Sequence, residues 1–185
     1  SMSMDEDSKV QADTNSTVKV TGKLDMEDDS KIKAGGKADV TAGSVDMADD
    51  SRIKAGTNAI VDVTGELEMN DDTKIKADDD ARVSAGEMQM NDDAKVDAGR
   101  DAVLSVTDEL EMNDETEILA GRDARITSGS MEMNTEALVD ADRNAVLNIT
   151  DELDMNDESR ILAGNNADIT AADVSMSDDT AIDAD

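Results

Sequence analysis

Pairs of acidic residues recur along this chain: Glu6-Asp7, Asp28-Asp29, Asp49-Asp50, Asp71-Asp72, Asp92-Asp93, Asp114-Glu115, Asp157-Glu158 and Asp178-Asp179. Only Thr135-Glu136 interrupts the series. Carboxylates are hard oxygen ligands, and Ca²⁺ accepts six to eight oxygens in flexible geometry. The residues with cation chemistry are therefore Asp28, Asp29, Asp49, Asp50, Asp71, Asp72, Asp92, Asp93, Asp114, Glu115, Asp157 and Glu158. The known calcium signatures are missing, with no D-x-D-x-D-G loop followed by Glu and no G-G-x-G-x-D nonapeptide. A diffuse atmosphere of Ca²⁺ or other cations, or adaptation to high salt, fits better than ordered calcium, and no other cofactor is implied.

Catalysis requires a singular constellation of acids, bases or metal ligands. This chain has no His, Cys or Tyr, and its acids recur at repeat positions instead of converging once. No aromatic residue is available to stack on a sugar. The expectation is a non-enzymatic protein, with a polysaccharide-processing β-helix enzyme as the remote alternative.

Charge narrows the partners. The chain carries 47 acidic and 17 basic residues, a formal net charge of −30. That balance argues against nucleic acid, whose phosphates require a basic footprint, and against anionic membrane surfaces. No apolar run approaches the roughly 20 residues of a membrane helix, and no signal peptide is recognisable. The leading Ser1-Met2 is compatible with an export signal already removed. Low hydrophobicity with high charge is a signature of disorder. The periodicity overrides it.

The elements that hold the acidic pairs are set by a repeat. A methionine precedes each pair, at Met4, Met26, Met47, Met69, Met90, Met112, Met133, Met155 and Met176. The intervals alternate between 22 and 21 residues throughout, so two coils form a 43-residue unit. Each coil contains three short segments with the period-two alternation of half-buried strands. In one coil these are Leu67-Glu68-Met69, Thr73 to Ala77 with both lysines outward, and Ala81 to Ala85. The intervening turns are Asn70-Asp71-Asp72, Asp78-Asp79-Asp80 and Gly86-Glu87, built of residues that tolerate left-handed backbone angles. Strands this short are stable only when stacked about 4.8 Å apart on their copies. The fold expected is all-β: a right-handed parallel β-helix (β-solenoid) with three strands per coil. Residues 1–185 would form one array, an excerpt of a longer chain, roughly 40 Å tall.

The last inward position of the third strand reads Val20, Ala42, Val63, Ala85, Val106, Ser128, Ile149, Ala171. Large residues fall in the coils that carry an extra turn threonine (Thr21, Thr64, Thr107, Thr150), as close packing of neighbouring layers demands. Asn70, Asn91, Asn113, Asn134 and Asn156 are placed to form an amide ladder. Outward positions of the second strand read Lys9, Lys31, Lys33, Arg52, Lys54, Lys74, Lys76 and Lys95, then change to Glu117, Leu119, Leu138, Asp140, Arg160 and Leu162. Acidic residues line the first strand at Asp25, Asp46, Glu68, Glu111, Glu132 and Asp154. Such stripes keep a stack soluble, and they also offer self-association, laterally or end to end, or recognition of a polymer or mineral surface.

The phrase Val45-Asp-Met-Ala-Asp-Asp-Ser-Arg-Ile-Lys-Ala-Gly-Thr-Asn-Ala-Ile-Val-Asp-Val resembles the shafts of filamentous-haemagglutinin-type secreted adhesins. Gly56, Gly99, Gly121 and Gly164, each after Ala, match one turn of that repeat, and Gly65, Gly86 and Gly129 the other. The resemblance spans the whole chain and is one of repeat texture. It implies a right-handed β-helix at the cell surface or in the medium, serving as a shaft or adhesive element. The acidity, the methionine anchors and the missing secretion domain depart from that pattern. Repeat, charge and resemblance together point to a structural, extracellular scaffold segment with a cation-rich surface; the alternative is a self-assembling or surface-binding module.

Overall fold

A computed structural model describes all 185 residues as 24 β-strands, with no helix and no cis peptide. Every strand pairing is parallel. The strands form a 15-stranded sheet, which joins the first and third strand columns, and a nine-stranded sheet, which is the second column. The chain is therefore a parallel β-solenoid of about nine turns with three strands per turn, the right-handed β-helix expected.

Register follows the methionines. Met69 lies beside Met47 and Met90, and Ile75 beside Ile53 and Val96. A slip of one residue would turn every apolar side chain outward, so burial locks the register. Leu67, Met69, Ile75 and Ala81 are fully buried, and Ala77, Val83 and Ala85 nearly so. The core is one continuous cluster of 50 residues with no aromatic member. The long coils absorb their extra threonine as an irregularity between Val20 and Lys23, after which the strands regain register. Val63, Val106 and Ile149 stay buried beside their small neighbours Ala42, Ala85 and Ser128, so the alternation of volumes is a packing device.

Burial fails at the last coil. Val174, Met176 and Ile182 occupy inward positions but are 52, 44 and 37 % exposed. They point the same way as their buried equivalents; nothing stacks on them.

The glycines behave differently from the sequence expectation. None has a positive φ. A Cβ on Gly99 would lie 2.2 Å from the carbonyl oxygen of Asp78 in the preceding coil, so that position needs space, not left-handed freedom. The left-handed residues are the acidic pairs themselves, which shapes the site below.

Candidate functional site

Nine turns link the first strand to the second, and each contains two consecutive left-handed residues. The first of each pair has φ of 48–53° and the second 57–62°, from Glu6-Asp7 to Asp178-Asp179. Two successive positive φ values define the tight type I′ turn, which favours Asn, Asp and Gly. In six of the nine turns the residue after the pair closes the turn, as where Ser30 donates its N–H to the carbonyl of Glu27 at 3.1 Å. For residues other than glycine this geometry is costly. It is offset by a bond outside the turn. Asp72 donates its N–H to the carbonyl of Asp92 in the next coil at 2.8 Å, and Asp50 does the same to Asp71 at 2.9 Å. The hydrogen-bond ladder thus runs through the turns as well as the strands.

Asp28, Asp29, Asp49, Asp50, Asp71 and Asp72 come together with Glu6 and Asp7 in one shallow depression without any apolar lining. Asp157 and Glu158 share a second with Thr135, Glu136, Asp178 and Asp179. Asp92, Asp93, Asp114 and Glu115 continue the same line of turns between them. No group of three or more carboxylates converges on a single point with the geometry of a metal centre. The acids form a line.

Repulsion along that line is visible in their protonation. A hydrogen bond with Asp5 raises the exposed Asp28 carboxyl, together with slight desolvation and the charges of Asp5, Asp49 and Glu6. Slight desolvation and the charges of Asp92, Asp49 and Asp72 raise the exposed Asp71. At the edge of the turn, Asp25 raises Glu27.

A ladder of amides runs beside the acids. Asn91 donates to Asn70 at 2.8 Å, Asn113 to Asn91 at 2.9 Å, Asn134 to Asn113 at 2.8 Å and Asn156 to Asn134 at 3.1 Å. Ser177 extends it by donating to Asn156 at 2.6 Å. Asn70, Asn113 and Asn134 also donate to Glu68, Glu111 and Glu132, tying down the acidic stripe of the first strand.

A second charged corner escaped the sequence reading. Asp80, Asp101 and Asp123 occupy one position in three successive coils, with Asp80 and Asp123 buried. Arg82 reaches Asp80 at 3.0 Å, Arg122 reaches Asp101 at 3.5 Å, and Arg125 and Arg143 reach Asp123 at 2.8 and 3.8 Å. Burial would raise the Asp123 carboxyl, but hydrogen bonds from Asn144 and Arg125 and the charges of Arg143 and Arg125 outweigh it and hold the group low. The Asp-x-Arg spacing, at Asp80 and Arg82 and again 43 residues later, was the available signal.

A family of B-type subunits of a discoidin-inducing complex matches residues 34–123, just under half of the chain. No curated protein and no solved structure matches it. The matched segment begins in the second coil and ends in the sixth, and it takes in the turns from Asp49-Asp50 to Asp114-Glu115.

The carboxyl shifts give a pH dependence with a definite sign. Asp28, Asp71 and Glu27 bind protons more readily folded than unfolded, so their charge destabilises the fold at neutral pH and the penalty is lost as pH falls. Asp97 and Asp123 are held low, so their contribution disappears only under stronger acid. At low ionic strength the melting temperature should rise from pH 7 to about 4.5, then fall below the ordinary carboxylate range. Thermal melts read by circular dichroism check this; a melting temperature that falls steadily from pH 7 contradicts it.

Proposed function

We propose that this chain is a non-enzymatic structural shaft or scaffold segment of an extracellular or cell-surface acidic repeat protein, adhesin-like in its build and surrounded by cations. The observation that carries the reading is the uniformity of the stack. No coil departs from the 21/22-residue rhythm, and the acidic turns recur with the coils instead of being gathered once. An enzyme of this architecture would need a coil unlike its neighbours; a shaft needs the opposite.

The match to a family of complex-forming subunits supports an assembling role, and the resemblance to secreted adhesin shafts supports the cell-surface setting. The acidic turns supply the cation-rich surface. Adjacent coils bring like charges within about 4.8 Å, inside the Debye length of about 8 Å at physiological salt, so counterions condense along the line. On this reading the line, with its acids spread one pair to a coil, holds them by charge.

The shaft reading is tested by length. Inserting one further 43-residue unit after Met90 should lengthen the particle by about 9.6 Å in small-angle scattering while leaving the melting temperature unchanged or higher. A lower melting temperature would mean that the coils are not interchangeable and would sink the reading. The cation atmosphere is tested separately, by melts in CaCl₂ and NaCl at matched ionic strength. Equal shifts are expected; a much larger shift in calcium would replace the atmosphere with specific sites.

A further inference from the structure

The outer face of the nine-stranded sheet is electrically polarised along the solenoid. Its strands are Lys9–Ala12, Lys31–Ala34, Arg52–Ala55, Lys74–Ala77, Lys95–Ala98, Glu117–Ala120, Leu138–Ala141, Arg160–Ala163 and Ala181–Ala184. Each presents two side chains outward. The first four strands present seven cations and Gln11, with no acid. The fifth presents Lys95 and Asp97. The last four present Glu117, Leu119, Leu138, Asp140, Arg160, Leu162, Ala181 and Asp183. In a chain of net charge −30, one end of this face is basic and the other acidic and apolar.

We infer that this face is the docking surface for a second copy of the chain, packed antiparallel about a two-fold axis that lies over the central strand Lys95–Ala98. The inference rests on the scaffold reading and names its partner. A two-fold parallel to the strands brings the first strand over the ninth, the third over the seventh and the fourth over the sixth. Lys54 then faces the partner's Asp140, Lys74 faces the partner's Glu117, and Lys33 and Lys76 lay their aliphatic stems on the partner's Leu162 and the partner's Leu119. Each contact occurs twice, as an isologous interface requires. The alternative two-fold, along the solenoid, stacks each coil on its own copy and sets seven cations against seven. Charge selects the antiparallel form.

Of the residues brought together, Lys33, Lys54 and Asp140 lack partners within one chain, whereas Lys74 and Lys76 already pair with Asp97 and Glu117 with Lys95. Lys33 and Lys54 make no ion pair, although Lys31 and Arg52 beside them pair with Asp29 and Asp50. Asp140 has no cation. Burial and the charges of Asp142 and Glu117 raise its carboxyl. The three leucines are half-buried and alternate with charges in a checkerboard, Leu119 beside Asp140 and Leu138 beside Arg160. Lys31 over the partner's Arg160 is unfavourable, and Lys95 and Asp97 each meet their own copies across the axis.

Size and net charge set the strength. A face about 38 Å tall and 13 Å wide buries roughly 500 Å² per copy, near the lower limit for a specific interface. Two chains of −30 repel at about 0.01 M salt, where the Debye length is about 30 Å. At about 0.15 M it shortens to about 8 Å, so facing pairs dominate; at about 1 M those pairs are screened too. The dimer is weak, reversible and strongest at intermediate ionic strength.

Sedimentation equilibrium from micromolar to millimolar protein at about 0.15 M NaCl tests this. Wild type should show a monomer–dimer equilibrium. Asp140→Lys and Lys54→Asp should each weaken it by about tenfold or more, and the two together should restore it. Circular dichroism confirms that each variant keeps the fold. The chain contains no cysteine, so orientation can be read by cross-linking. Lys33→Cys mixed with Leu162→Cys should form a disulfide-linked pair, while Lys33→Cys alone should not. A monomeric wild type, unaffected single variants, no rescue in the double variant, self-linking of Lys33→Cys, or oligomers larger than two each overturn the proposal. A monomer that still lengthens on insertion of a 43-residue unit would overturn the dimer and leave the shaft standing.

Discussion

The fold depends on one interaction: each coil hands its backbone donors and acceptors to its neighbours, in strands and turns alike. There are 142 backbone hydrogen bonds in 185 residues, and 61 of them lie outside the regular strand ladders. A chain without aromatics buries little apolar area per coil, so its core alone is a thin source of stability. The ladder is what makes strands of four or five residues hold. It also explains how acidic residues can occupy left-handed turns: the second member of each pair but the last bonds to the next coil, which supports a conformation that isolated turns favour with Asn-Gly or Asp-Gly.

The same constraint dictates the electrostatics. Stacking copies each position at a short interval, so any charged residue that recurs becomes a charged line. The protein manages these lines in three ways. Along the first strand, asparagine amides bind the carboxylates of Glu68, Glu111 and Glu132. At the Asp80–Asp101–Asp123 corner, arginines from the same coil (Arg82, Arg125) and from the next one (Arg122, Arg143) close the circuit. In the acidic turns only Lys31 and Arg52 answer, at Asp29 and Asp50, and the carboxyls of Asp28 and Asp71 are pushed up. On the proposed scaffold reading, that contrast is the reason to look for cations along the turns.

Much of this was legible in the sequence because period-two alternation and a fixed repeat leave little freedom. The methionine spacing gives the register, the Val63/Ala85 alternation gives the layer packing, and Asn70 to Asn156 gives the amide ladder, all as observed. Two features were not legible. Glycine and Asp both tolerate left-handed backbone, so composition alone assigned the strain to both; only the backbone shows that Asp71 and Asp72 carry it while Gly99 answers to a carbonyl in the coil below. The buried Asp123 reads as one more turn acid, because its partners Arg143 and Asn144 lie a full coil away and their approach depends on how the corner folds.

The central claim, that the ladder continues through the acidic turns, is tested most directly by amide hydrogen exchange in the middle coils. The Asp72 and Asp93 amides, which donate to Asp92 and Asp114, should be protected to the same degree as Ile75 and Val96 in the neighbouring strands. Exchange of Asp72 and Asp93 at the rate of an open turn, with Ile75 and Val96 still protected, would contradict the account and reduce the turns to unsupported connections between three separate strand columns.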